Sequence, residues 1–382
     1  MTRPATLPTV TPPTVARRDP GLSARVVREV PLFYVAGADP ALDRPAFVRA
    51  GSGLARVSTS AGERLAVVQD DANVVALVDP ATGLAESIAL PAGPRGRRLF
   101  DVGRGNKLDK MDLESCVALD DPERPGARML VALGSGALAV RERIVVVRGL
   151  DAGGPETAEV RVVDASLLYT LLRGRAEFAG AELNIEGAAQ VRAADGEVVR
   201  LFSRGNGAAA ELSAALSAVG GTSATCDLDA GAFAAYLLAP ATTPVPPSAH
   251  IVRYDLGALE GEPLGFTDAT AWGDGVLYLA AAERSVNVIE DGPVAGSVLG
   301  VMRAGGDVCW APLVADTGAP FVCKAEGVAP SDVPGHVWIV LDVDDPDQPA
   351  VLCDVALEGN WGGGVGVVLA PAARPERVSR PT

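Results

Sequence analysis

Residues Asn106 to Ala118 read NKLDKMDLESCVA and set two lysines and three carboxylates (Lys107, Asp109, Lys110, Asp112, Glu114) directly ahead of an apolar run. The chain carries 33 Lys plus Arg, yet lysine stands only at 107, 110 and 324. The third lies in Cys323-Lys324-Ala325-Glu326-Gly327, where lysine again neighbours an acid. Lysine is a compact point charge that meets phosphate or carboxylate through one atom and shifts its pKa when buried, unlike the forked guanidinium. Lysines of this kind can neutralise charge developing on an anion. Carboxylates beside them can hold a hard cation or take a proton from water.

The pattern recurs along the chain. Lys110-Met111-Asp112-Leu113-Glu114-Ser115-Cys116-Val117 aligns with Glu182 to Ala189, containing Asn184 and Glu186, and with Val322 to Ala329, containing Lys324 and Glu326. Leu264 to Ala271, containing Asp268, aligns more loosely. Each copy places an acid before or within an apolar strand. Strands repeated around an axis would bring these acids together. Such a group cannot all ionise without a cation, because like charges raise one another's pKa. Ca²⁺ would satisfy them, and so would salt bridges to the lysines. The catalytic candidates are Glu114, Lys110, Glu186 and Glu326. The ligand-binding candidates include Lys107, Lys324, Asp112 and Asn184.

The elements that would position these residues are short strands punctuated by Gly, Pro and Asp. One set comprises 54–58, 64–69, 74–79 and 85–90, with Asp-Pro-Ala-Thr-Gly as a turn. Similar sets follow at 113–163, 183–255 and 266–302, and a shorter one at 321–355, with 209–219 expected as a helix. Weaker apolar runs stand at 167–172, 233–238, 309–313 and 365–369. The expectation is an all-β fold, a single β-propeller over 22–371, with six sets preferred and five left open. Residues 24–30 supply the outer strand that closes the ring and leaves no open edge. Residues 1–21, rich in Pro and Thr, and 372–382 are expected to be disordered arms.

Composition narrows the partners. A formal charge of -15 argues against a nucleic acid, which needs a basic face. No run approaches the roughly 18 apolar residues of a membrane span, and the first twenty residues lack the apolar core of a secretory leader. Five scattered cysteines without a CxxC pair read as reduced, half-buried thiols, so a cytoplasmic location is expected. The two histidines, His250 and His336, each open a strand and neither sits near a nucleophile-elbow motif, which argues against a serine hydrolase. Gly362-Gly363-Gly364 lacks the Lys-Ser/Thr of a phosphate loop, and Trp361 reads as a packing or lid residue. Asp342 to Gln348, DVDDPDQ, is expected to be a hairpin turn.

The elements DLES, NIEG and KAEG, with the Arg-Gly-Asn segments 104–106 and 204–206, resemble a bacterial group of phytase-like and esterase-like β-propellers. The similarity spans residues 50 to 360. It implies a polar central pocket in which Glu114, Glu186, Asp268 and Glu326 hold Ca²⁺ or act as acid and base. It also implies that Lys107, Lys110, Arg204 and Lys324 clamp an anion. The lysine-poor composition and missing leader depart from phytases and leave phytate itself unsupported. The reading is therefore a propeller that binds a small anionic molecule and acts as a metal-assisted hydrolase of a phosphoester or related anion. One alternative is a non-enzymatic scaffold whose acids and lysines cross-neutralise in a plug. A further alternative is a metal-dependent lactonase, with no lysine facing its metal.

Overall fold

The structure is a computed structural model that describes residues 11–180, 182–204, 223–283 and 294–362. Among these residues the strands group into five antiparallel sets of four. The first is Gly51–Thr59, Gly62–Gln69, Val74–Val78 and Leu84–Ala89. The second is Leu113–Asp120, Arg128–Gly134, Arg143–Arg148 and Glu159–Asp164. The third is Ile185–Ala193, Gly196–Ser203, Ser223–Asp229 and Ser248–Asp255. The fourth is Glu262–Trp272, Gly275–Glu283, Val294–Met302 and Val308–Ala315. The fifth contains Lys324–Pro330, His336–Asp342 and Val351–Glu358, and borrows its outer strand from near the start of the chain.

That borrowed strand, Ser23–Pro31, runs antiparallel to Val351–Glu358 from the pair Ser23↔Glu358 to Pro31↔Val351. The closure expected from the sequence is therefore present. The seal joins residues far apart in the chain and pairs the outer edge of Val351–Glu358. Residues 14–18, inside the segment expected to be a disordered arm, also pair. Thr14–Val15 lies parallel to Ser248–Asp255, and Arg17–Arg18 lies parallel to Val308–Ala315.

The first strands of successive sets neighbour one another, and that of the fifth packs beside that of the first. Five apolar clusters fill the wedges between adjacent sets. Between the first and second, for example, Val57, Val75 and Leu77 meet Leu130, Val145 and Val147. Aromatics are scarce, so Val, Leu and Ala make most of this core. An exception is the wedge between the third and fourth sets, where Phe266 stands edge-to-face with Phe202 at 5.2 Å and Tyr278 at 5.3 Å. The architecture is that of a β-propeller.

The preference for six sets meets five among the described residues, for local reasons. Two of the weak apolar runs are helical, in Ser166–Arg173 and Ala230–Leu238, each burying an apolar face against the second and third sets. Residues 309–313 form the outer strand of the fourth set, completing it after 297–302. The runs 286–289 and 365–369, and the expected helix 209–219, lie outside the described residues. No helix among the described residues is long and apolar enough to cross a membrane.

Candidate functional site

Each first strand carries one extra residue relative to its partner, a bulge at the same point in every set. The skipped residues are Ser52, Glu114, Glu186, Thr267 and Glu326. A bulge re-aims a side chain out of the ladder, and here the five bulges form one tier around the axis. Two residues earlier stand Ala50, Asp112, Asn184, Gly265 and Lys324. At the matching end of each second strand stand Asp70, Ser135, Arg204, Ala281 and Asp342. The mouth is built from these three tiers.

The register corrects one alignment. Thr267, not Asp268, occupies the bulge of the fourth set. Asp268 falls one residue further in, at the level of Gly53, Ser115, Gly187 and Gly327, where the backbones nearly touch. A Cβ on Gly187 would lie 3.2 Å from the Asp268 Cα, and one on Gly327 would lie 2.9 Å from the Gly53 carbonyl carbon. Asp268 is fully buried in this girdle, and its Oδ2 accepts from the Val328 amide at 2.8 Å. Burial pushes its carboxyl well above the usual range despite these amide contacts. It pins neighbouring strands together, and the nearby Glu186 charge adds to the rise.

On the outer side of the girdle the charged side chains converge. Lys110 Nζ lies 2.5 Å from Asp70 Oδ2, 2.8 Å from Asp112 Oδ1 and 3.5 Å from Asp71 Oδ1, with 5% of its side chain exposed. Asp112 is held in the left-handed region at φ 57°, which turns its carboxylate back toward the lysine. Its Oδ2 accepts from Ser135 Oγ at 2.5 Å and from the buried Arg141 Nη1 at 2.7 Å. Burial alone would raise Asp112, but Lys110 and Arg141 outweigh it and hold the carboxyl below its usual range. For Lys110, burial opposes the charge, yet Asp112, Asp70 and Asp71 drive its pKa well up.

Glu114 faces the same group. Ligand oxygens of Asp70, Asp112 and Glu114 all lie within 4.8 Å of one another, so this acidic cluster could bind a metal. Glu114 is half-buried, whereas Asp112 is buried. Burial, then Asp112 and Asp70, pushes the Glu114 carboxyl well above its ordinary value. Asp70 Oδ1 is buried and makes no hydrogen bond.

Two further knots complete the mouth. Glu186 accepts from Asn184 Nδ2 at 2.5 Å and lies 3.7 Å from Arg204, whose Nη2 reaches Glu283 at 2.5 Å. Lys324 Nζ lies 3.3 Å from Asp344, 3.7 Å from Glu326 and 3.9 Å from Asp342. Burial first, then neighbouring carboxylates, raises Glu186 and Asp342 to about 7 each and Glu326 well above its usual value. Lys110, Lys324 and Arg204, expected to clamp an anion, are thus already engaged by buried acids.

Beside these knots opens a cavity of about 460 Å³, lined by Arg49, Asp70, Asp71, Asp101, Lys107 and Asp342, among others. Arg49 holds Asp101 at 3.2 Å and Asp71 at 3.4 Å. Burial and Asp70 raise Asp71 to about 6, against the pull of Lys110 and Arg49. Of the cavity's polar lining, only Lys107 had been singled out as a ligand candidate. Asp70 and Asp71 stand in the segment DDAN that joins 64–69 to 74–79. Their signal was their place at the end of a second strand, which matches Arg204 and Asp342.

A second cavity of about 390 Å³ lies beyond the girdle, walled by Ala55, Cys116, Ala118, Ala189 and Ala269. All five cysteines are free, and four are buried. His336 Nδ1 meets Asp354 at 2.7 Å, and exposed His250 lies 3.8 Å from Asp195, both away from the mouth. Trp361 is buried in the core, its Nε1 donating to the Glu358 carbonyl. The DVDDPDQ segment is the connection between His336–Asp342 and Val351–Glu358.

The family model for DUF6929, a family of unknown function, matches residues 47–357. The chain belongs to the DUF6929 family. The match takes in most of residues 50 to 360, the stretch that resembles phytase-like and esterase-like propellers. No curated protein matches the sequence. The DUF6929 chain is similar in structure to the PQQ-bound aldose sugar dehydrogenase of Streptomyces coelicolor, at 13% identity and TM-score 0.41, covering 91% of this chain and 100% of that one. It is also similar to the glutaminyl cyclase of Myxococcus xanthus, at 9% identity and TM-score 0.42, covering 91% and 99%. A third similar structure is the GH93 α-L-arabinofuranosidase of Fusarium graminearum, at 9% identity and TM-score 0.38, covering 87% and 98%. Their chemistries differ from one another, and none transfers to the DUF6929 chain at such distance.

Proposed function

We infer that this chain is a five-bladed propeller whose mouth binds a divalent cation, Ca²⁺ by its all-oxygen donors, and that it hydrolyses a phosphoester or related anionic ester there. The observation that carries the reading is the approach of Asp70, Asp112 and Glu114 to within 4.8 Å of one another beside an open cavity. Asp70 Oδ1, buried without a hydrogen bond, and the half-buried Glu114 offer the donor atoms that the ion pairs leave over. A hard cation held there would polarise an ester oxygen. Asp71, titrating at about 6 on the cavity wall, suits a base that takes a proton from water near neutral pH. Arg49 and Lys107 line the same wall and would orient the anion. Glu114 must lose a proton to ligate, so cation affinity rises with pH.

A second reading has its own support. Lys110 already sits 2.5 Å from Asp70 and 2.8 Å from Asp112, as an internal cation would in a non-enzymatic plug. The same lysine faces the acids, unlike the arrangement expected of a metal-dependent lactonase. Release of p-nitrophenol from p-nitrophenyl phosphate, with Ca²⁺ or EDTA, separates the readings. Hydrolysis should require Ca²⁺ and fall about 100-fold or more in Asp71→Asn, the size of a lost general base. Turnover unaffected by EDTA and by Asp71→Asn would sink the hydrolase. Ca²⁺ binding without turnover on any of a panel of anionic esters would leave a binding protein.

A further inference from the structure

We propose that the loop between the first and second sets, on the rim of the cavity, is a docking surface for an acidic polypeptide segment. Residues 91–110 carry Arg95, Arg97, Arg98 and Arg104 against Asp101 and Asp109, an excess of two positive charges (four minus two) at the surface of a chain of net -15, with Lys107 on the cavity wall and Lys110 buried against Asp70 and Asp112. A basic island on an acidic body is an address for a partner of opposite sign.

The loop is held in one shape. Phe100 is wholly buried, and Leu99 bridges to Ala72. Asn106 is tied to the Asp101 amide at 3.1 Å and to the Leu99 carbonyl at 2.9 Å. Asp43 accepts from the Arg98 and Leu99 amides at 3.0 and 3.2 Å. A surface ordered before binding loses less entropy when it meets a partner.

What the loop presents outward is basic and apolar. Arg95 and Arg97 are exposed and do not line the cavity. Among the described residues no carboxylate forms a salt bridge with Arg95 or Arg98, and the one beside Arg97 is Asp43 at 3.8 Å. Arg95 sits at φ 59°, in a left-handed turn between Pro94 and Gly96. Val102 and Leu108, on the same loop, are 77% and 58% exposed. Arginines with apolar neighbours suit a short run of Asp or Glu, because the guanidinium fork takes carboxylates in pairs. An extended nucleic acid would have to cross the acidic body around the island, which disfavours it.

The test is fluorescence anisotropy of a fluorescein-labelled oligoglutamate titrated with the full chain at low ionic strength. Binding should saturate, weaken as salt rises through the physiological range, and weaken about tenfold in Arg95→Glu/Arg97→Glu. Neither side chain supports the core, so the variant's melting temperature should match the parent's. Absence of binding, or binding indifferent to the double reversal, overturns the proposal. So does equal binding of a single-stranded oligonucleotide or an anionic vesicle. Self-association of the chain that the reversal abolishes would give the face to a second copy and overturn it as well.

Discussion

Two lysines sit in similar company at opposite sides of the mouth, and they are held differently. Lys110 makes two short contacts, at 2.5 Å to Asp70 and 2.8 Å to Asp112, and Asp112 is itself bound by Ser135 and Arg141. Lys324 lies 3.3 to 3.9 Å from Asp344, Glu326 and Asp342, with 10% of its side chain exposed. The consequence appears in the acids. Asp112, beside Lys110, is pulled below its ordinary pKa, whereas Asp342 and Glu326, beside Lys324, are pushed above theirs. Short, multiply bonded pairs keep a buried carboxylate ionised. Looser ones do not overcome burial.

The largest test of this contrast is removal of each lysine. Lys110→Met leaves Asp70 and Asp112 buried without their cation and should cost roughly 3–5 kcal/mol in urea unfolding. Lys324→Met leaves acids already poised to take up protons, and should cost about 1 kcal/mol. Equal losses would break the contrast.

A smaller effect follows from pH. Asp342 and Glu186 have folded pKa values of about 7, raised above the unfolded carboxyl range near 4. The stability linked to each is full below the unfolded value and is lost as pH rises through about 7. Asp112 runs the other way, since its lowered pKa gives stability above the unfolded value that is lost in acid. Without added cation, the melting temperature should therefore fall as pH rises from about 5 to 8. Asp342→Asn should flatten that slope, and a melting temperature that climbs over this window would contradict the assignment.

Much of this mouth was legible before the fold was. Strands such as 64–69 and 128–133 stood out because Gly and Asp-Pro turns bound short, Val-rich runs, and Glu114, Glu186 and Glu326 fell on equivalent points of three of them. Two kinds of information were hidden. A bulge shifts the register by one residue, and nothing in Phe266-Thr267-Asp268 says that the skipped residue is Thr267 and not Asp268. Asp70, Asp71 and Arg141 reach the mouth from outside the aligned elements, Arg141 through the folding of the second set and Asp70 and Asp71 through the packing of the first set beside it. Residues 167–172 and 233–238 are short apolar runs whose period does not separate helix from strand.

The most direct test of the central claim is thermal unfolding of the EDTA-treated chain with and without Ca²⁺, in parallel with Glu114→Gln. A cation that binds only the folded state raises the melting temperature with concentration, by about 2.7 kcal/mol of stability at 100 times its dissociation constant. The account predicts that rise in the parent chain, and its loss or marked weakening when Glu114 can no longer carry charge. An unchanged melting temperature, or an equal rise in Glu114→Gln, would contradict it and leave Lys110 as the cation of a structural plug.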